Sequence, residues 1–302
     1  LTGLSEALLP SLEERRLHHN QISNLSGLDE GNLPKLEYLL LSNNRINSLS
    51  GLEEWELPAL SVVLLRDNQI TCIEDLAKAR LPALTAIDLS HNQITDLSTL
   101  AGTELPELWG LGLTHNKISD ISVFTEVNLP NLSALGLSYN QITNLSSLAD
   151  VNFTSLEYLE LEHNQISNLT GLAEASLPSL KELRLHHNQI SNLTGLSEAL
   201  LPSLEELRLH HNQISNLSGL DEGNLPKLEY LLLNNNRINS LSGLEEWELP
   251  ALSEVLLGDN QITCIKDLAK ARLPALKRID LSHNQITDLS TLAGTELPEL
   301  RG

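Results

Sequence analysis

The sequence predicts an α/β repeat solenoid: a right-handed arc with a parallel β-sheet on its concave side and short helices or turns on its convex side. Three observations lead there. An asparagine followed after one residue by isoleucine recurs at Asn20, Asn44, Asn68, Asn92, Asn116, Asn140, Asn164, Asn188, Asn212, Asn236, Asn260 and Asn284, always 24 residues apart. Alternating leucines precede each asparagine, as in "LRLHHN" at 183–188, and 183–193 recurs letter for letter at 207–217. Aromatics are only 3% of a chain whose apolar fraction is 41%, so one aliphatic shape fills the core. Fixed spacing of this kind is the mark of units that pack only on their neighbours.

Each element follows from local chemistry. Alternation puts Leu183 and Leu185 on one face and Arg184 on the other, the pattern of a half-buried strand too short for a helix. Successive strands lack connections that would return them antiparallel, so they stack in parallel, one per repeat. The recurrent asparagine is expected as a buried amide that satisfies turn backbone groups, repeated as a ladder. On the return path, Ser50-Gly51-Leu52-Glu53 and Ser242-Gly243-Leu244-Glu245 have capping-box spacing and predict a short helix or helical turn. Pro202, Pro226 and their equivalents stop that segment before the next strand.

Written around its asparagine, each repeat reads L-x-x-L-x-L-x-x-N-x-I-x-x-L/I-x-x-L/F, with Leu-Pro usually ahead of the next strand. This pattern resembles the leucine-rich repeat family across all twelve units. The resemblance implies the solenoid above and a binding role for its concave face.

Residues 1–302 are expected to form a single solenoid of twelve 24-residue units plus a partial one. A longer period is present too: residues 1–109 recur at 193–301. The two blocks differ at Arg15/Leu207, Ser42/Asn234, Val62/Glu254, Arg66/Gly258, Glu74/Lys266, Thr85/Lys277, Ala86/Arg278 and Trp109/Arg301. Such closeness implies recent block duplication or an assembled, engineered consensus. Both ends fall mid-repeat, and the start at Leu1 without any Met leads to the expectation of a processed product or a fragment of a longer polypeptide. Arg15 stands in the first strand where other repeats carry leucine, either as a charge guarding an open edge or as a tolerated substitution.

The concave face is read from positions flanking the middle strand residue and the two before each asparagine. All ten histidines fall there. Candidate binding residues are Tyr158, Glu160, Glu162, Arg184, His186, Arg208, His210 and Tyr230. His186, His187, His210 and His211 are weak candidates for a transition-metal site, since clustered imidazoles ligate zinc, nickel or copper, and they also form a possible pH-responsive patch. Gly110, Gly112, Ala134 and Gly136 leave a nearly bare stretch that would admit a partner's backbone closely.

Serines and histidines recur at repeat positions rather than forming one nucleophile–base–orienter set, and no phosphate-cradling loop is present, so neither an enzyme nor a cofactor is expected. A formal charge of −21 repels nucleic acid and anionic membranes. No apolar run is long enough to cross a bilayer. Acceptor sequons at Asn24, Asn131, Asn144, Asn152, Asn168, Asn192 and Asn216 point to an extracellular or cell-surface chain, with a cytoplasmic one as the alternative. Cys72 and Cys264 share one repeat slot eight units apart and are expected as free thiols. The first functional reading is a non-enzymatic scaffold, a segment of an extracellular, N-glycosylated array that binds protein and self-associates end to end into filaments. The alternatives are a discrete recognition module with one protein ligand on its concave face, and an engineered repeat protein.

Overall fold

A computed structural model describes residue 9 and residues 11–25, 33–52, 57–220 and 225–290. The chain divides into two compact units. The first comprises Leu1–Gln141 with Val151–Leu156, and the second Ile142–Asp150 with Glu157–Gly302. The first carries strands β1 (Glu14–Arg16), β2 (Tyr38–Leu40), β3 (Val62–Leu64), β4 (Ala86–Asp88), β5 (Gly110–Gly112) and β6 (Ala134–Gly136). The second carries β7 (Tyr158–Glu160), β8 (Glu182–Arg184), β9 (Glu206–Arg208), β10 (Tyr230–Leu232), β11 (Glu254–Leu256) and β12 (Arg278–Asp280). Within each unit every strand pairs in parallel with the next at an offset of one repeat, as in Leu159↔Leu183↔Leu207↔Leu231.

That register stacks the same repeat position on itself, so each central strand leucine extends one buried column. Leu39, Leu183, Leu207 and Leu231 are fully buried, as are the leucines two residues on, Leu41, Leu185, Leu209 and Leu233. Each such side chain contributes about 1.5–3 kcal/mol of apolar burial. The few aromatics inside are special fits. Phe124 and Phe153 meet edge to face at 5.7 Å, and fully buried Trp247 donates its Nε1–H to Leu217 O at 3.1 Å.

The return path is made of short 3-10 turns, among them Glu74–Leu76, Ser98–Leu100, Ser122–Thr125, Ser146–Ala149, Thr170–Leu172, Leu244–Glu246 and Lys266–Lys270. The capping box expected at Ser242 takes another form. The turn starts from Gly243 at φ 98 without a side-chain cap, and the Glu245 carboxylate accepts the Gly243 N–H at 2.9 Å. One turn of 3-10 is too tight for the four-residue box, and glycine supplies the left-handed entry. In the Ser50 copy, Glu53 lies outside the described residues. Glycine is also forced sterically at Gly195, φ 104, where a Cβ would sit 2.2 Å from Leu169 O.

The asparagines tie one repeat to its neighbour. Asn188 Nδ2 donates to Leu185 O of its own repeat (3.1 Å) and to Leu161 O of the one before (3.0 Å). Its Oδ1 accepts the Ile166 N–H at 3.0 Å. The same set recurs at Asn44, Asn68, Asn92, Asn116, Asn140, Asn212, Asn236 and Asn260, and those residues and Asn164 are buried. Asn164 donates to Leu161 O, and its Oδ1 accepts the Ile142 N–H. Burial fails at the two extremes: Asn20 is exposed and Asn284 half-buried. Asn20 bonds Leu17 O and His18 O, both from its own repeat. Arg15 is half-buried in register with Leu39. Its Nη1 is buried without a hydrogen-bond partner, and burial lowers the guanidinium pKa.

Candidate functional site

The residue before each ladder asparagine is left-handed. His19, Asn43, Asp67, His91, His115, Tyr139, His163, His187, His211, Asn235, Asp259 and His283 all have φ between 52° and 58°. Outside glycine, this region is occupied mainly by Asn, Asp and His. Seven of the ten histidines therefore stand where the backbone turn selects their residue type. Sequence reasoning assigned this column to the surface and missed its conformation, although a column so rich in His, Asn and Asp carried the signal.

In the second unit the register brings Tyr158, Glu182, Glu206 and Tyr230 into one row, with Glu160, Arg184, Arg208 and Leu232 beside it. The charges interlock. Arg184 contacts Glu160 and Glu182, both at 2.7 Å. Arg208 reaches Glu182 at 3.0 Å and Glu206 at 2.8 Å. The Glu206 contact is an ion pair rather than a hydrogen bond, because the carboxylate lies off the line of the Nε–H. Burial pushes the Glu182 carboxyl up, but two arginines outweigh it and its pKa lies below the ordinary value. Glu160 lacks the second short contact, and burial lifts its pKa despite Arg184. Tyr158 and Tyr230 flank this lattice, 42% and 41% exposed.

The next row holds Glu162, His186 and His210. The two imidazoles stack at 4.3 Å, and His163, His187 and His211 stack alongside at 4.1 and 4.2 Å. Burial, then the charges of neighbouring histidines and arginines, push the pKa of His186 and of His210 down to about 4. His186 Nδ1, His210 Nδ1 and Glu162 Oε2 are buried without hydrogen-bond partners. Rings stacked face to face point their lone pairs in parallel rather than toward one ion. Among the described residues no three His, Cys, Asp or Glu side chains are grouped to hold a metal.

The sequon slot has a structural occupation of its own. The side chains of Asn144, Asn168, Asn192 and Asn216 each accept the backbone N–H two residues on, at 3.1–3.2 Å. Asp96, Asp120 and Asp288 do the same at 2.7–2.8 Å, and Ser240 at 3.1 Å. The slot is thus an Asx-type turn leading into the 3-10 segment. Asn168 and Asn144 also accept a hydroxyl from Thr170 (2.6 Å) and Ser146 (2.8 Å). Outside this slot, Asn152 is exposed and Asn131 donates Nδ2 to Pro106 O at 2.8 Å. Asn24 is exposed, while its Ser26 lies outside the described residues. Cys72 and Cys264, in the same slot, are half-buried free thiols. Sequence reasoning also passed over Trp109, 52% exposed beside β5.

Sequence comparison agrees with this geometry. A leucine rich repeat profile matches residues 58–118, 106–166 and 154–214, spanning half of the chain. A profile of two leucine rich repeat copies matches 202–246 and 249–294. The chain belongs to the leucine-rich repeat family. No curated protein sequence matches it. Among solved structures, this leucine-rich repeat chain is similar to an internalin from Listeria monocytogenes. The two are 28% identical with a TM-score of 0.72, over 96% of this chain and 86% of that one. It is also similar to a leucine-rich repeat protein of Leptospira interrogans, at 26% identity and TM-score 0.65, over 98% and 81%. The fold is an internalin-like solenoid with parallel strands on one face and 3-10 turns on the other. Leucine-rich repeat proteins are non-enzymatic binding scaffolds, and this chain is a protein-interaction domain of that kind. Among the described residues no helix is long and apolar enough to cross a membrane.

Proposed function

We propose that the chain binds a protein partner, at the cell surface or outside the cell, through the strand face of its second unit. Tyr158, Glu160, Glu162, Arg184, His186, Arg208, His210 and Tyr230 form the contact. The observation that carries this reading is the ion-pair lattice from Glu160 to Glu206, which holds long charged side chains in place before a partner arrives. Side chains already ordered lose less rotamer entropy on association. The tyrosines supply exposed anchors of the type enriched at binding hot spots. The test is capture of partners from a surface extract with wild type and with Arg184→Glu/Arg208→Glu, after matching their melting temperatures. Loss of the specific partner in the variant is expected, and unchanged capture would dismiss the site.

A second reading, an extended and N-glycosylated array that associates end to end, is favoured by the unbroken 24-residue phase and by sequon asparagines that are exposed at Asn24, Asn131, Asn144, Asn152 and Asn216 and half-buried at Asn168 and Asn192. The Asx turns give four of those asparagines a sufficient structural reason to be there. Intact mass before and after N-glycan removal, together with sedimentation at several concentrations, tests both parts. Bare asparagines and a concentration-independent monomer would remove this reading.

A further inference from the structure

The duplicated blocks differ where a partner would touch them. Of the eight differences, six fall in only three of the twenty-four repeat positions: the residue before the strand (Thr85/Lys277, Trp109/Arg301), the first strand residue (Val62/Glu254, Ala86/Arg278) and the second residue before the ladder asparagine (Ser42/Asn234, Arg66/Gly258). The buried leucines and the ladder asparagines keep their identities apart from Arg15/Leu207.

Two of the differences are coupled in space. Val62 and Ala86 are register partners on β3 and β4. Their copies, Glu254 and Arg278, are partners on β11 and β12 and form an ion pair at 2.7 Å. A cross-strand apolar pair in one block has thus become a cross-strand salt bridge in the other. Outward-facing positions drifting independently would not be expected to change as a matched pair.

The outcome is a different surface on each block. In the first unit the two outward columns of β2–β6 read Tyr38, Leu40, Val62, Leu64, Ala86, Asp88, Gly110, Gly112, Ala134 and Gly136. All but exposed Tyr38 are half-buried. Asp88 is the single charge in these two columns, and Arg66 in the column beyond is engaged by Asp67 at 3.3 Å and His91 at 3.0 Å. Its Oδ1 accepts the Ser90 N–H at 2.9 Å, and among the described residues it has no cationic partner. Gly112 leaves its carboxylate open, because a Cβ there would sit 2.8 Å from Asp88 Oδ1. Exposed Trp109 precedes β5, and exposed Tyr139 follows β6 with its ring stacked at 3.9 Å on His115. In the other block the equivalent Asp280 has Arg278 close enough to help hold its carboxyl below the ordinary pKa, behind its hydrogen bonds from Ser282.

We propose that the β2–β6 face of the first unit is a docking surface, separate from the ion-pair lattice of the second, for a partner protein segment that carries apolar side chains and one Lys or Arg opposite Asp88. Charge complementarity selects the occupant: a carboxylate without a cation on an otherwise apolar floor is left uncompensated once covered, unless the partner brings a positive charge. The bare glycines set the depth at which that segment sits.

The test is selection from a displayed library of random linear peptides on the intact chain, with winners re-measured against variants. The key variant is Val62→Glu/Ala86→Arg, which installs residues the same frame already accommodates at 254 and 278, so its melting temperature should match wild type. Selected peptides should pair aromatic or aliphatic residues with a Lys or Arg. They should lose at least about tenfold in affinity on this variant and several-fold on Asp88→Asn. Arg184→Glu/Arg208→Glu should leave them unchanged, which keeps this proposal separable from the lattice reading. Selecting no peptide, selecting acidic ones, or losing binding only in the lattice variant would overturn it. So would a self-associated form of the chain that falls apart in Val62→Glu/Ala86→Arg.

Discussion

Replacing Asn188 by alanine tests how the ladder holds one repeat to the next. The amide donates to Leu161 O and Leu185 O and accepts from Ile166 N–H. The two carbonyls are doubly served, since Leu161 O also accepts from Asn164 at 3.0 Å and Leu185 O from Asn212 at 2.9 Å. The truncation therefore orphans a single buried group, the Ile166 N–H. An orphaned buried donor costs about 1–3 kcal/mol, and two lost hydrogen bonds with surviving alternatives add roughly 0.5–1.5 kcal/mol each. With about 2 kcal/mol for the orphaned donor and the low end, about 0.5 kcal/mol, for each carbonyl that keeps another donor, about 3 kcal/mol is expected. A repeat array can lose cooperativity, so the assay is hydrogen exchange at the Ile166 amide alongside urea unfolding. Protection there should fall by about two powers of ten. Asn20→Ala should cost less than about 1 kcal/mol, because that amide is exposed and, among the described residues, bonds only within its own repeat. Equal losses at the two positions, or less than about 1 kcal/mol at Asn188, would refute the ladder as a coupling between repeats.

At the left-handed column, His187→Val should destabilise by roughly 1–2 kcal/mol more than His187→Asn in thermal unfolding, because a β-branched residue resists positive φ while asparagine already serves there at 43 and 235. Equal melting temperatures would count against backbone selection of that residue type. Acid should loosen the second unit. His186 and His210 have folded pKa values of about 4, depressed from 6.5. As pH falls between those values the unfolded chain takes up protons first, so their contribution is complete above 6.5 and is lost toward 4. Urea midpoints of wild type and His186→Gln/His210→Gln measured across that range should converge on acidification, and parallel curves would exclude these histidines as the cause.

Much of the fold is legible along the chain because a repeat of fixed length makes sequence position equivalent to spatial position. Alternation at Leu183 and Leu185 reveals a buried face, and recurrence of Asn188 reveals a shared polar task. The site is less legible. The sequons read as glycan acceptors along the chain, and Asn168 and Asn192 also accept the same turn hydrogen bond as Asp96, so one residue type answers two chemistries. The histidines read as a ligand cluster along the chain, whereas the positive φ of His187 and His211 and their face-to-face stacking at 4.2 Å are visible only in the structure.

By itself the sequence determined the period, the parallel stacking, the leucine columns and the asparagine ladder, since each depends on spacing within one repeat and on the burial of apolar groups. Only the tertiary structure decided which charges meet, that two arginines serve Glu182, that Glu254 and Arg278 close to 2.7 Å, and that Asp88 above Gly112 has no cationic partner among the described residues. Those facts depend on side-chain distances across strands a full repeat apart, and spacing along the chain sets the register of such contacts without setting their reach.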